Sequence, residues 1–200
     1  MLQPGDFGAN ARGEPLATVL GSCVSIVLYD EGLRAGGMNH FLLPGRVGPG
    51  DVFRDSAAFY GMYAVDLLVN ELLRLGSSRA RLKAKVFGGA AMLSLPGSGM
   101  SRIAEGNVAF AFDYLAKEGI PVLASDVGGF RARRIWLFPD TGRVLLQRIG
   151  TALNLPLARS EGRYRRSLAA LDREGPSVIF DDPAGKAREA LREDGGDAEP

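Results

Sequence analysis

The chain has 200 residues, 46% of them apolar and 24% charged, with a formal net charge of +1 at pH 7. This is ordinary globular composition, long enough to bury a core and without the basic excess that draws nucleic acid or an anionic membrane. A single cysteine excludes an internal disulfide framework and points to a reducing compartment.

The N-terminus, Met1-Leu2-Gln3-Pro4-Gly5-Asp6, has neither a basic nor an apolar leader pattern, and no later stretch has the uncharged apolar length of a bilayer span. The expectation is a soluble cytoplasmic protein, with no nucleic acid partner and no membrane insertion. Residues 1–15 are rich in Gly, Pro and Asn, which predicts extended chain and turns leading into a first strand.

The next stretch holds the only cysteine and the only histidine. Val24-Ser25-Ile26-Val27-Leu28-Tyr29 is a β-branched and aromatic run. Asp30-Glu31-Gly32-Leu33 is turn-like, and Ala35-Gly36-Gly37-Met38-Asn39-His40-Phe41-Leu42 returns. An even-numbered loop centred on Glu31-Gly32 pairs residues whose numbers sum to 63, so Cys23 would face His40 with Cβ atoms roughly 4.5–5.5 Å apart. A three-residue loop would place them on opposite faces instead, and a bulge at Gly36-Gly37 would also move the register. Residues 44–51, Pro-Gly-Arg-Val-Gly-Pro-Gly-Asp, read as a loop bordering the site.

Ser56 to Leu75 is the clearest helix, with Tyr60, Tyr63, Ala64, Leu67, Leu68, Leu72 and Leu75 at helical spacing and Gly76 as its stop. Arg79 to Phe87 alternates basic and apolar residues, which predicts a half-exposed strand with a solvated charged face. Gly88-Gly89-Ala90 is a small-residue turn where backbone can approach another strand or a ligand. A helix over Asn107–Glu118, a strand over 120–127 and a second hairpin over 131–149, turning at Pro139-Asp140-Thr141-Gly142, complete the regular pattern. Arg131, Arg133 and Arg134 form a basic cluster that can hold an acidic partner. A short helix over 159–172 and a strand at Val178-Ile179-Phe180 follow. Residues 181–200 are acidic, Gly-rich and poor in large apolar side chains, and are expected to stay disordered.

A cysteine becomes a strong nucleophile once ionised, but a free thiol with a pKa of about 8.5 needs an imidazole or a helix dipole beside it. His40 is the one imidazole that can serve, and can then protonate a departing amine. The flanking Gly21-Ser22 allow a tight backbone approach that leaves the Cys23 amide N–H free to bind a tetrahedral oxyanion, and Thr18 or Asn39 can orient the ring. Each residue also has an ordinary structural reading, the cysteine as a small buried hydrophobe and the histidine as a core side chain. One cysteine and one histidine fall short of a structural zinc site.

Five blocks carry a resemblance to a known family: Leu2-Gln3-Pro4-Gly5-Asp6, Thr18-Val19-Leu20-Gly21-Ser22-Cys23-Val24, Gly36-Gly37-Met38-Asn39-His40-Phe41-Leu42-Leu43-Pro44, Lys85-Val86-Phe87-Gly88-Gly89-Ala90 and Asp126-Val127-Gly128-Gly129. In this order they closely resemble the CheD family of chemoreceptor glutamine deamidases, from about residue 2 to 150. The resemblance implies an α+β fold, a mixed β-sandwich core with flanking helices like that of deamidating bacterial toxins, in one domain over residues 1–180. It implies a cytoplasmic protein-glutamine glutaminase that hydrolyses receptor glutamine side chains to glutamate and ammonia without metal or cofactor. The nucleophile falls on Cys23, the base on His40 and the third catalytic residue on Thr18. Gly21, Ser22 and Asn39 are the substrate or oxyanion candidates. Implied partners are methyl-accepting chemotaxis receptors, through their cytoplasmic helices, and a CheC-type phosphatase. Gly106 before Asn107, and Phe130-Arg131-Ala132 after Gly128-Gly129, depart from the family pattern at positions expected to bear on partners rather than on chemistry. The alternative from another class is a non-catalytic adaptor that binds receptors or a phosphatase and acts by competition.

Overall fold

The computed structural model describes residues 1–43, 56–92 and 99–174. In chain order the strands are β1 (Phe7–Asn10), β2 (Leu16–Leu20), β3 (Val24–Asp30), β4 (Ala35–Asn39), β5 (Lys83–Gly88), β6 (Val122–Val127), β7 (Arg133–Phe138) and β8 (Arg143–Arg148). The helices are α1 (Ser56–Arg74), α2 (Gly99–Lys117) and α3 (Asn154–Glu174). The strands form a mixed five-stranded sheet in the order β1-β4-β3-β5-β6 and an antiparallel three-stranded sheet in the order β2-β7-β8. The expected α+β class is what this chain adopts.

Alternation along β3 and the segment from β4 to Leu43 sets the layers. Val24, Ile26, Leu28, Phe41 and Leu43 turn to one side and pack on Val65, Leu68, Val69 and Leu72 of α1 and Phe110 and Leu115 of α2. Cys23, Val27, Met38 and Leu42 turn to the other side and meet Leu20, Ile135 and Leu137 from the three-stranded sheet. A strand apolar on both faces belongs in the middle of a layered structure, and β3 lies there. Losing one such fully buried leucine, Leu68 for instance, costs about 2–5 kcal/mol. β2 ends at Leu20 in one sheet and β3 starts at Val24 in the other, so Gly21-Ser22-Cys23 is the crossing between them.

The first hairpin forms, with a different register. Val27 pairs with Met38, Asp30 with Ala35 and Val24 with Phe41, so opposing numbers sum to 65. The loop is Glu31 to Arg34, one residue further along than glycine preference at Gly32 suggests, because Arg34 itself takes the left-handed conformation, φ 54°. Buried Asp30 holds this loop, its carboxylate accepting from the Leu33 N–H at 3.1 Å, the Ser77 hydroxyl at 2.6 Å and Arg81 Nε at 2.9 Å. Gly36 and Gly37 pair in register with Tyr29 and Leu28, without a bulge.

Other expectations are corrected in the same way. Phe7–Asn10, read as turns and extended chain, is a strand on β4. The basic stretch opens with a short 3-10 turn, Arg79–Arg81, and continues as β5, which is interior to its sheet and alternates half-exposed Lys83 and Lys85 with buried Ala84 and Val86, as expected of a half-exposed strand. Lys83 and Lys85 reach its border, where Lys83 pairs with Glu31 and Lys85 donates to the Gly142 carbonyl. Arg133 is no partner-binding cation. It is fully buried, paired with Asp126, and donates to the carbonyls of Asp126 and Gly128. Helix α2 begins earlier than expected, at Gly99, since packing of Ile103 and Ala104 overrides the weak helix propensity of Gly99 and Gly106. Helix α3 begins at Asn154 rather than at the expected residue 159, and Pro156 fits in its first turn, where no N–H is needed. The expected loop 44–51, the strand at Val178-Ile179-Phe180 and the tail 181–200 lie outside the described residues.

Candidate active site

Cys23, His40 and Thr18 are all buried, at 0%, 3% and 0% exposure, in the layer between the two sheets. The register shift of two keeps Cys23 and His40 on one face of the five-stranded sheet, because faces alternate with period two. It makes them diagonal rather than direct neighbours, and among the described residues no hydrogen bond joins the imidazole Nε2 to the thiol. The position level with His40 is taken by Ser25, whose buried hydroxyl has no hydrogen-bond partner among the described residues.

Thr18 fixes the imidazole. Its Oγ1 lies 2.7 Å from His40 Nδ1 and 2.9 Å from the Leu2 carbonyl oxygen. A carbonyl only accepts, so the Thr18 hydroxyl donates to Leu2 and must accept from Nδ1–H. That leaves the lone pair on Nε2, a buried nitrogen with no hydrogen-bond partner among the described residues. The N-terminal segment completes the seat: the His40 N–H donates to Asp6 and its carbonyl accepts from Gly5. Burial drives the His40 pKa down to about 4, against weaker opposing pulls from the Leu2 carbonyl and Asp6. Burial likewise pushes the Cys23 thiol well above its ordinary value, assisted by the negative charge of Glu161 and a hydrogen bond to it. Thiol and imidazole are therefore both neutral at pH 7, not the thiolate–imidazolium pair that an adjacent exposed pair would give.

Asn39 does not orient the ring. It faces the helices, its Oδ1 accepting from the Ile26 N–H at 2.9 Å and its Nδ2 donating to the Ala64 carbonyl at 3.3 Å. Its amide replaces a ladder hydrogen bond and stiffens the hairpin behind His40. The Gly21 and Ser22 N–H groups do converge on one point, and a carboxylate from α3 fills it. Glu161 Oε1 accepts from the Gly21 N–H at 2.9 Å, and Oε2 accepts from the Ser22 N–H at 2.9 Å and the Ser22 hydroxyl at 2.6 Å.

Two supports of this crossing were not legible as site residues. Asn107, in the block set aside as remote from chemistry, donates through Nδ2 to the Ser22 carbonyl at 2.8 Å and accepts from the Leu43 N–H at 2.9 Å. The Gly88-Gly89-Ala90 turn packs directly behind it, with Gly89 N–H donating to the Cys23 carbonyl and Ala90 N–H to that of Gly21. Gly88 has φ 116°, and a Cβ there would lie 2.2 Å from the Cys23 carbonyl oxygen. Glu161 is the other, 138 residues from the cysteine in sequence and without any local signal. A cavity of about 290 Å³ lined by Leu2, Val19, His40, Leu157, Ser160 and Glu161 runs beneath α3 to the imidazole.

The fold and site together define a two-sheet α+β protein built around a buried thiol, a tautomer-fixed imidazole and a nest of backbone donors. The family model described as CheD chemotactic sensory transduction matches residues 42–148. A probable chemoreceptor glutamine deamidase CheD of Laribacter hongkongensis is 41% identical over 177 residues, 88% of this chain and 85% of that relative. A probable chemoreceptor glutamine deamidase CheD 1 of Shewanella oneidensis is 40% identical over 179 residues, 90% of this chain and 86% of the relative. One from Xanthomonas campestris pv. campestris is 42% identical over 167 residues, covering 83% and 81%. The chain belongs to the CheD family.

Proposed function

We propose that this protein hydrolyses glutamine side chains of chemotaxis receptors to glutamate and ammonia, with Cys23 as nucleophile, His40 as general base and acid and Thr18 as the residue that holds the imidazole. The observation that carries it is the Thr18 hydroxyl accepting from His40 Nδ1–H, which leaves Nε2 as the proton acceptor on the face that also bears Cys23. A neutral pair works by concerted transfer: the thiol proton passes to Nε2 as sulfur attacks the amide carbon. The imidazolium then protonates the leaving nitrogen, a γ-glutamyl thioester results, and water deprotonated by His40 hydrolyses it. Two backbone N–H groups at Gly21 and Ser22 hold the oxyanion.

That the relatives are probable chemoreceptor glutamine deamidases supports the receptor substrate. We infer that residues 1–180 form one domain with the core of deamidating-toxin cysteine hydrolases, acting in the cytoplasm where receptor helices are accessible. No described helix is long and apolar enough to cross a membrane. A CheC-type phosphatase is the further partner, competing for the receptor-binding surface.

Incubating the protein with cytoplasmic receptor fragments and mapping glutamine-to-glutamate conversion by mass spectrometry tests this. Cys23→Ala is expected to lower the rate about a thousandfold or more with the fold retained by circular dichroism, and His40→Ala about a hundredfold or more. A folded Cys23→Ala protein with undiminished conversion would refute the scheme and favour the adaptor.

A further inference from the structure

We propose that α3 is a resident competitor for the substrate's place, with the Glu161 side chain seated in the acyl pocket formed by the Gly21 N–H, the Ser22 N–H and the Ser22 hydroxyl as a copy of the reaction product. The inference rests on the deamidase reading for the identity of that product, and on geometry for the rest.

A carboxylate leaves water at a cost of several kcal/mol unless its oxygens are fully hydrogen-bonded. Glu161 is only 3% exposed, and its oxygens accept three hydrogen bonds from two adjacent residues, beside the Cys23 thiol. Backbone donors converging next to a nucleophile are the arrangement that binds a developing oxyanion. Gly21 leaves room for Met92 and Glu161 together, since a Cβ there would run into Met92 Cε and lie 2.7 Å from Glu161 Oε1. A glutamate side chain offered from a helix is also the form in which a deamidated receptor helix leaves.

The rest of α3 is lightly held. Of its described side chains, Asn154, Ala158, Glu161 and Leu168 are buried, whereas Leu155 is 46% exposed. Asn154 donates to the carbonyls of Phe130 and Met92, and the Tyr164 hydroxyl bonds that of Tyr60. The cavity under Leu157 and Ser160 separates the helix from the sheets. A helix fastened at points over a void can lift away, and while it is docked no substrate amide reaches the fully buried Cys23. A receptor helix therefore enters by displacing α3.

Two measurements on the full chain test this. The first is the rate at which iodoacetamide alkylates Cys23, which needs no receptor. In Glu161→Ala it is expected to rise about tenfold or more, as it must if the docked state holds at least nine-tenths of the molecules. Ala158→Arg, one turn earlier on the buried side of α3, should do the same without touching the pocket, and guards against a Glu161 variant that does not fold. Rates within about twofold of the unmodified chain in folded variants would overturn the proposal.

The second is self-modification of Glu161→Gln. The Cys23 sulfur attacks the side-chain amide carbon while its proton passes to His40. The carbon–nitrogen bond breaks as His40 protonates the leaving ammonia, and water then cleaves the thioester, restoring the thiol and leaving a carboxylate at position 161. Peptide mass mapping should find that conversion, absent when Cys23→Ala is added, with alkylation returning to the unmodified rate as it proceeds. An amide that persists at 161 in a preparation active on receptor fragments would overturn the pocket assignment. If the unmodified chain converts no receptor glutamine, the deamidase reading fails, and the alkylation rates still decide whether α3 closes the site.

Discussion

Thr18 and His40 show how much of a site can rest on one hydrogen bond. Thr18→Val keeps the shape but strands the Nδ1–H, so the ring loses its tautomer preference, and kcat on a receptor fragment is expected to fall about tenfold to a hundredfold with KM little changed. Thr18→Ser, which restores the acceptor, should recover most of it, whereas a purely structural threonine would show no such rescue. The imidazole also links stability to pH. Its folded-state pKa of about 4 lies below the ordinary value of 6.5, so the unfolded chain binds the extra proton first. The stability held by neutral His40 is complete above pH 6.5 and is lost as pH falls towards 4, up to about 3 kcal/mol. Denaturant titrations at pH 7 and pH 4.5 should show a smaller acid loss in His40→Gln. Cys23 and His40 stand out in the sequence because each occurs once and the hairpin parity places them on one face. Their separation was not legible, because a single arginine in the left-handed conformation moves the turn by one residue.

At the scale of elements, the crossing between β2 and β3 is shaped from behind by the end of β5 and by α2. Gly88 has no room for a methyl group, since backbone rather than a flexible side chain lies in the way. Gly88→Ala should lower stability by about 2 kcal/mol or more in chemical denaturation and remove activity along with it. Asn107 works differently, tying the Ser22 carbonyl to the Leu43 N–H, so that α2 holds the nucleophile loop and the strand after His40 together. The glycines were legible as a place of close approach, but what they approach was not. Helix α3 was legible as a helix, yet neither its start nor its role in the site was, because an arginine-rich helix with few apolar residues reads as a surface element.

Across the whole molecule, two sheets must stay in step for β2 to deliver Thr18 to a histidine on β4's extension. Arg133 on β7 links them, reaching Asp126 and the Gly128 carbonyl at the end of β6 in the other sheet. Asp126 keeps a second partner in Arg148. Arg133→Met leaves the Asp126 carboxylate and the Asp126 and Gly128 carbonyls without the Arg133 guanidinium donor and should cost about 3 kcal/mol in urea unfolding, with loss of cooperativity between the two sheets.

By itself the sequence determined the hairpins, the clearest helix and the shared face of Cys23 and His40, since these follow from periodicity and turn chemistry within a few residues, whereas the α+β class came with the family resemblance. The motif blocks pointed to the family. Only the tertiary structure decided that Thr18 accepts from the imidazole, that Asn39 faces the helices, and that Arg133 is an internal clamp. It alone brought Glu161 to the nucleophile loop. Hydrogen bonds between residues up to 140 positions apart depend on how layers stack, and no local pattern along the chain encodes that.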